Sequence, residues 1–257
     1  MIEKKLVWRS ALCTLAFGAA FGWAISPALA GGNRALVEAA AAGATVPVAD
    51  TSAPNQTRTW DFDHDRAQQP PQDWEMVAGQ WRVLVDRDAP SEPNALALPG
   101  YGLPHVQELG LWFESFIDTH YQVAIPKDAP QSTDFSYAAN IKLWGGAFGS
   151  YAGLVFRYSD PNNYYVLVAA CPKDYVALYR MSGGQMTLLK QAPAELVRSQ
   201  WYSMKVDAKG GHFEGYLDGK QVLTADDGSF AQGRIGVWSR DDSRVSFDSI
   251  RLSPSGS

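Results

Sequence analysis

The stretch Ala152 to Arg180, AGLVFRYSDPNNYYVLVAACPKDYVALYR, constrains this chain more than any other. It reads as three consecutive strands, AGLVFRY, YYVLVAA and YVALYR, separated by Ser-Asp-Pro-Asn-Asn and Cys-Pro-Lys-Asp. The runs are rich in β-branched and aromatic residues, and the gaps hold the Pro, Asn and Asp that turns require. A meander of this kind cannot bury its apolar face alone, so the rest of the chain must supply a larger sheet packed on a second one.

The remaining segments fit that demand. Strand patterns begin at Thr59–Asp63 and continue through Gly79–Val85, Asn94–Leu98, Val106–Ser115 and Thr119–Ile125. In Asp134–Trp144, Phe135, Tyr137, Ala139, Ile141 and Leu143 share one phase, while Asn140, Lys142 and Trp144 share the other. That alternation marks one buried and one wet face. After the meander come Met186–Leu189, Trp201–Asp207, His212–Leu217, Lys220–Thr224, Gly233–Trp238 and Arg244–Leu252, with Asp218-Gly219 as a two-residue hairpin turn. Fifteen short strands, no amphipathic helix after Arg58 and no blade-length repeat predict an all-β, two-sheet antiparallel jelly-roll sandwich.

The first 30 residues read as a signal peptide: Lys4, Lys5 and Arg9 precede the apolar run ALCTLAFGAAFGWAI, and Ala28-Leu29-Ala30 supplies a small-x-small cleavage pattern. The expected organisation is therefore a leader at 1–30, a flexible linker at 31–57, the sandwich at 58–253 and a tail at 254–257, exported to the periplasm or beyond. Cleavage leaves 19 Lys+Arg against 26 Asp+Glu, a formal charge of −7. Such a chain has no electrostatic reason to hold nucleic acid or an anionic membrane. It also leaves Cys171 alone, so no internal disulfide is expected and the core must carry stability.

The runs GLVFRYSDPNNYYVLVAA, WYSMKV, FEGYLDGKQVL and GRIGVWSRDDSRVSFDSIRL, in that order, resemble the concanavalin A-like lectin/glucanase superfamily. They are most like bacterial exported domains related to the 3-keto-disaccharide hydrolase (family-16-like) group. The resemblance spans Trp60 to Leu252. It implies two curved antiparallel sheets that often meet glycans, on a scaffold shared by binding modules and enzymes. Glucanases of this fold carry Glu-x-Asp-x-x-Glu on one strand, which sets acid and nucleophile at the separation retention needs. No such run exists here, and His64, His105, His120 and His212 form no metal-ligand pair at short spacing. The resemblance also implies a structural Ca²⁺ held by a last-strand Asp, which Asp248 matches, with Asp61 and Asp63 as further oxygen donors.

The leading expectation is thus an exported carbohydrate-binding domain. A glycoside-processing hydrolase of the 3-keto-disaccharide type and an envelope protein-interaction domain are the alternatives. Sugar rings pack C–H patches on aromatic faces and need converging donors and acceptors for their hydroxyls. Strand phase nominates Trp144, Lys142, Arg157, Arg180, Gln122 and His120, with Tyr151 at the end of the Gly145–Ser150 loop.

Overall fold

The computed structural model describes residues 56–100, 121–146, 149–240 and 242–255, all within the compact unit Pro47–Ser257. The leader, most of the linker, the Val106–Ser115 strand and His120 lie outside the described residues. Fifteen strands and no helix appear among those described: β1 (Arg58–Trp60), β2 (Trp74–Ala78), β3 (Arg82–Val85), β4 (Asn94–Leu98), β5 (Tyr121–Pro126), β6 (Phe135–Gly145), β7 (Ser150–Asp160), β8 (Asn163–Cys171), β9 (Tyr175–Ser182), β10 (Gln185–Pro193), β11 (Trp201–Lys209), β12 (His212–Leu217), β13 (Lys220–Asp226), β14 (Arg234–Arg240) and β15 (Arg244–Pro254). β2 is an addition to the expected set. It lies in the unassigned stretch between Asp73 and Gly79, where a register shift between Met76 and Ala78 breaks the alternation.

The strands form two antiparallel sheets. An eight-stranded sheet runs β13-β12-β11-β6-β15-β4-β3, with β1 pairing β15, and a seven-stranded sheet runs β10-β9-β8-β7-β14-β5-β2. The β7-β8-β9 meander lies inside the second sheet, which explains why its strands are apolar on both phases. One phase meets the other sheet: Leu154, Phe156, Tyr165, Leu167 and Leu178 pack with Tyr137, Ile141, Met204, Phe213 and Phe247. The opposite phase builds a second buried cluster from Tyr151, Val155, Tyr158, Tyr164, Val166, Val168 and Trp238.

Two buried polar groups tie elements of the sandwich together. Tyr137 Oη crosses from the eight-stranded sheet to donate to Gly236 O at 2.7 Å. Its complete burial pushes the phenol well above its usual pKa, so it remains a neutral donor. Cys171 is a buried free thiol whose Sγ donates to Leu196 O at 3.2 Å. Burial raises its pKa, so it packs as a small apolar residue.

Candidate functional site

The outward face of the eight-stranded sheet carries a lateral row fixed by register. Trp201 on β11 lies opposite Lys142 on β6, Lys142 opposite Ser246 on β15, and Ser246 opposite Ala97 on β4. Trp144 is the next outward residue on β6 and is 37% exposed. Its ring is held from two sides. Nε1 donates to Ser246 Oγ at 2.9 Å, and the Lys142 ammonium sits 4.1 Å from the ring centroid. The same ammonium is 5.4 Å from the Trp201 ring and 3.0 Å from Asp86 Oδ2. Lys142 is only 2% exposed, so it supports the indoles instead of meeting a ligand.

Beside Trp144 lies an open depression of about 380 Å³, lined also by Leu84, Leu98, Pro99, Ser199, Ser246 and Arg244. This volume falls within the range of small-molecule sites. The combination is an aromatic face, two hydroxyl-bearing residues and a guanidinium. Among the described residues that line the depression, none carries a carboxylate.

Other nominated residues are dispersed. Arg157 is turned into one end of the sandwich, where Nη1 donates to Phe230 O at 2.7 Å and Nη2 to Thr133 O at 2.9 Å and to Gly210 O. The expectation that it shares a wet face with Val155 is corrected by a bulge: β7 places three steps, Val155 to Tyr158, against two on β14, Gly236 to Arg234. Arg157 sits there at φ +49°. Arg180 follows Val176 and Leu178 in phase, and at the end of β9 it pairs with Asp227 at 2.6 Å and donates to Ser229 Oγ. Burial alone would raise the Asp227 pKa, but Tyr165, Ser229 and Arg180 hold it below its usual value. Arg180 is therefore committed to the 227–230 loop and does not lie on a wet face.

Tyr151 belongs to the outward phase of the seven-stranded sheet, where it is buried with the Arg240 guanidinium 4.2 Å from its ring. Gln122 is buried on β5, its side chain filling the space beside Gly79 that a Cβ would occupy. Neither joins Trp144. Arg244, Ser246 and Ser199 were missed by the strand-phase reading. Ser246 was findable, because it shares the phase of Asp248, but its contact with Trp144 depends on which strand pairs β6.

The expected calcium set does not assemble, since no cluster of three acid, His or Cys side chains able to hold a metal exists among the described residues. Asp248 is buried on β15 and its oxygens are taken up by protein donors: Ser91 N at 2.6 Å, Ser91 Oγ at 2.7 Å and Ser249 N at 2.6 Å. Asp61 Oδ1 turns back to accept from Asp63 N at 3.3 Å, and Asp63 Oδ1 accepts from Asn94 N at 3.5 Å.

No family model matches the chain. A levanase of Bacillus subtilis (strain 168) is 28% identical over 109 residues, covering 41% of this chain and 16% of the levanase. Only a small part of that relative's length is therefore represented. Among solved structures, the carbohydrate-binding module CBM66 from Bacillus subtilis aligns with a TM-score of 0.55 at 20% identity, covering 70% of this chain and 96% of the module. The Emp47p carbohydrate recognition domain aligns at 0.52 with 12% identity, covering 78% of this chain and 95% of that domain. The transglycosylase Crh5 aligns at 0.51 with 13% identity, covering 80% of this chain and 87% of the enzyme. At these identities the likeness concerns architecture, and the scaffold serves binders and enzymes alike. With its two antiparallel sheets and these neighbours, the chain has the concanavalin A-like jelly-roll fold.

Proposed function

We propose that this domain is an exported carbohydrate-binding module whose platform is the Trp144 ring. The observation that carries the reading is the exposed indole, braced by Lys142 and Ser246, beside an open depression with hydroxyl and guanidinium donors. An aromatic face supplies the C–H stacking that pyranose and furanose rings need, and the donors serve their hydroxyls. The levanase match and the CBM66 alignment support the same class and make a fructan, levan, the first probe. Export follows from the leader pattern at the start of the chain, and among the described residues no helix is long and apolar enough to cross a membrane.

The test is isothermal titration of the mature domain with levan, inulin and β-glucan fragments, beside Trp144→Ala. Loss of the stacked ring is expected to weaken binding by at least about tenfold, the effect of removing a central aromatic anchor. Circular dichroism of the variant should match the parent, since the ring lies at the surface. Binding that survives the substitution within twofold would sink the Trp144 platform. A folded domain that binds none of the glycans, or that releases reducing ends from one of them, would replace the binding-module reading.

A further inference from the structure

Two arginines converge beside Trp144, and among the described residues neither forms an ion pair with a carboxylate. Arg244 crosses two glycines: its stem lies where a Cβ of Gly100 would sit, and its Nη2 is 3.4 Å from the Cβ position of Gly145. Arg198 Nη1 is 3.8 Å from that same point. Gly145 has φ +146° and directly follows Trp144, so it sets no side chain of its own against the two guanidiniums. Arg198 also touches the Cys171 thiol, which is neutral. Neither arginine has a carboxylate partner among the described residues, whereas Arg58, Arg180 and Arg234 each have one. The carboxylate of Asp242 lies by the next glycine, with its Oδ1 3.1 Å from the Cβ position of Gly146. Among the described residues at this spot, two guanidiniums face one carboxylate, on a chain of formal charge −5.

Like charges brought together without a counter-ion repel one another, and an anion between them relieves the repulsion. Guanidinium forks match carboxylate and sulfate oxygens in geometry as well as in charge. We propose that the Arg198–Arg244 pair receives the anionic group of an acidic saccharide whose ring stacks on Trp144. The inference rests on the binding-module reading and narrows its ligand class to uronate- or sulfate-bearing chains. A neutral fructan then meets Arg244 only as a hydroxyl donor and brings no charge for the pair to receive.

The experiment measures affinity electrophoresis retardation by oligogalacturonate, dextran sulfate, unsubstituted dextran and levan, at low and moderate salt. Three variants accompany the parent: Arg198→Gln/Arg244→Gln, Trp144→Ala, and Lys209→Gln/Lys220→Gln as a control of equal charge change at exposed strand ends. An anionic chain is expected to bind at least about tenfold tighter than the neutral chains, since charge-assisted bonds are roughly twice as strong as neutral ones. The arginine double variant should lose that advantage, read as the ratio of anionic to neutral binding, while the lysine control keeps it. Whether the uronate or the sulfate chain is retarded identifies the source of the anion. Equal loss in the lysine control, or anionic binding untouched by the arginine substitutions, overturns the pair as a site. Neutral binding lost in Trp144→Ala without any anionic preference overturns this inference alone, and silence on every chain overturns both.

Discussion

Replacing Arg157 with alanine is expected to lower the melting temperature by roughly 8–16 °C, which at this chain length corresponds to about 4 kcal/mol. The guanidinium is 1% exposed and ties three connections together through carbonyls: Thr133 before β6, Gly210 in the β11–β12 turn and Phe230 before β14. Its plane also lies 5.0 Å from the Phe213 ring centroid. Charge-assisted bonds contribute about 1.5–3 kcal/mol each, less than additively when they share one group. Removing the donor leaves three carbonyls facing the end of an apolar core. Burial already lowers the pKa of this arginine, opposed by Tyr165 and Asp134, so part of the gain offsets desolvation. The left-handed φ of +49° provides a control. Arg157→Gly loses the same bonds but relieves about 1 kcal/mol of backbone strain, and should melt above Arg157→Ala. Arg157→Lys should resemble alanine more than the parent, because one ammonium cannot reach three diverging carbonyls. Scanning calorimetry decides the matter. A fall of less than 3 °C in Arg157→Ala would mean that the carbonyls find other donors.

That residue also marks where the sequence stops being readable. Alternation located most of the strands because a sandwich strand with one core face must repeat every two residues, as Phe135 to Leu143 does. The same rule misplaced Arg157, since one extra residue in β7 inverts the phase of everything beyond it and no local composition announces the bulge. Arg180 failed for a different reason. Its phase points inward, but it stands at the last turn of the strand where the core ends, and only the fold brings the 227–230 loop there as partner. Trp144 was recoverable because it continues an unbroken alternation. That Ser246 and Arg244 stand beside it was not, because they come from a strand about one hundred residues away whose pairing with β6 is a property of topology. The two apolar phases of the meander were visible from composition, and they follow from its place inside the seven-stranded sheet.

Asp248→Ala is expected to cost about 3 kcal/mol, or roughly 6–12 °C in melting temperature. The carboxylate is fully buried and joins the last long strand to the β3–β4 connection through Ser91 N and Ser91 Oγ, while Ser249 N closes onto its own chain. Alanine leaves the half-buried Ser91 and Ser249 N–H groups without their acceptor, and the cost lies in those unpaired donors. Ser249 at φ +48° takes the kink of a second bulge, where Asp248 pairs Asn140 and Arg251 pairs Ala138. Losing the carboxylate therefore loosens the register of β15 as well. Burial raises the pKa of this group, the three donors pull it down less strongly, and Asp63 adds to the rise. Because the folded value exceeds the unfolded one of about 3.9, the penalty for ionisation is absent at lower pH. It accumulates as pH climbs through the raised value and is constant above it. The advantage of the parent over Asp248→Ala should accordingly shrink as pH rises across that window, and denaturant melts on its two sides measure the change. The same melts in chelator and in added Ca²⁺ are expected to give one value for the loss, because the carboxylate's partners are protein donors. A loss that appears only with calcium would make Asp248 an ion ligand and return Asp61 and Asp63 to its shell.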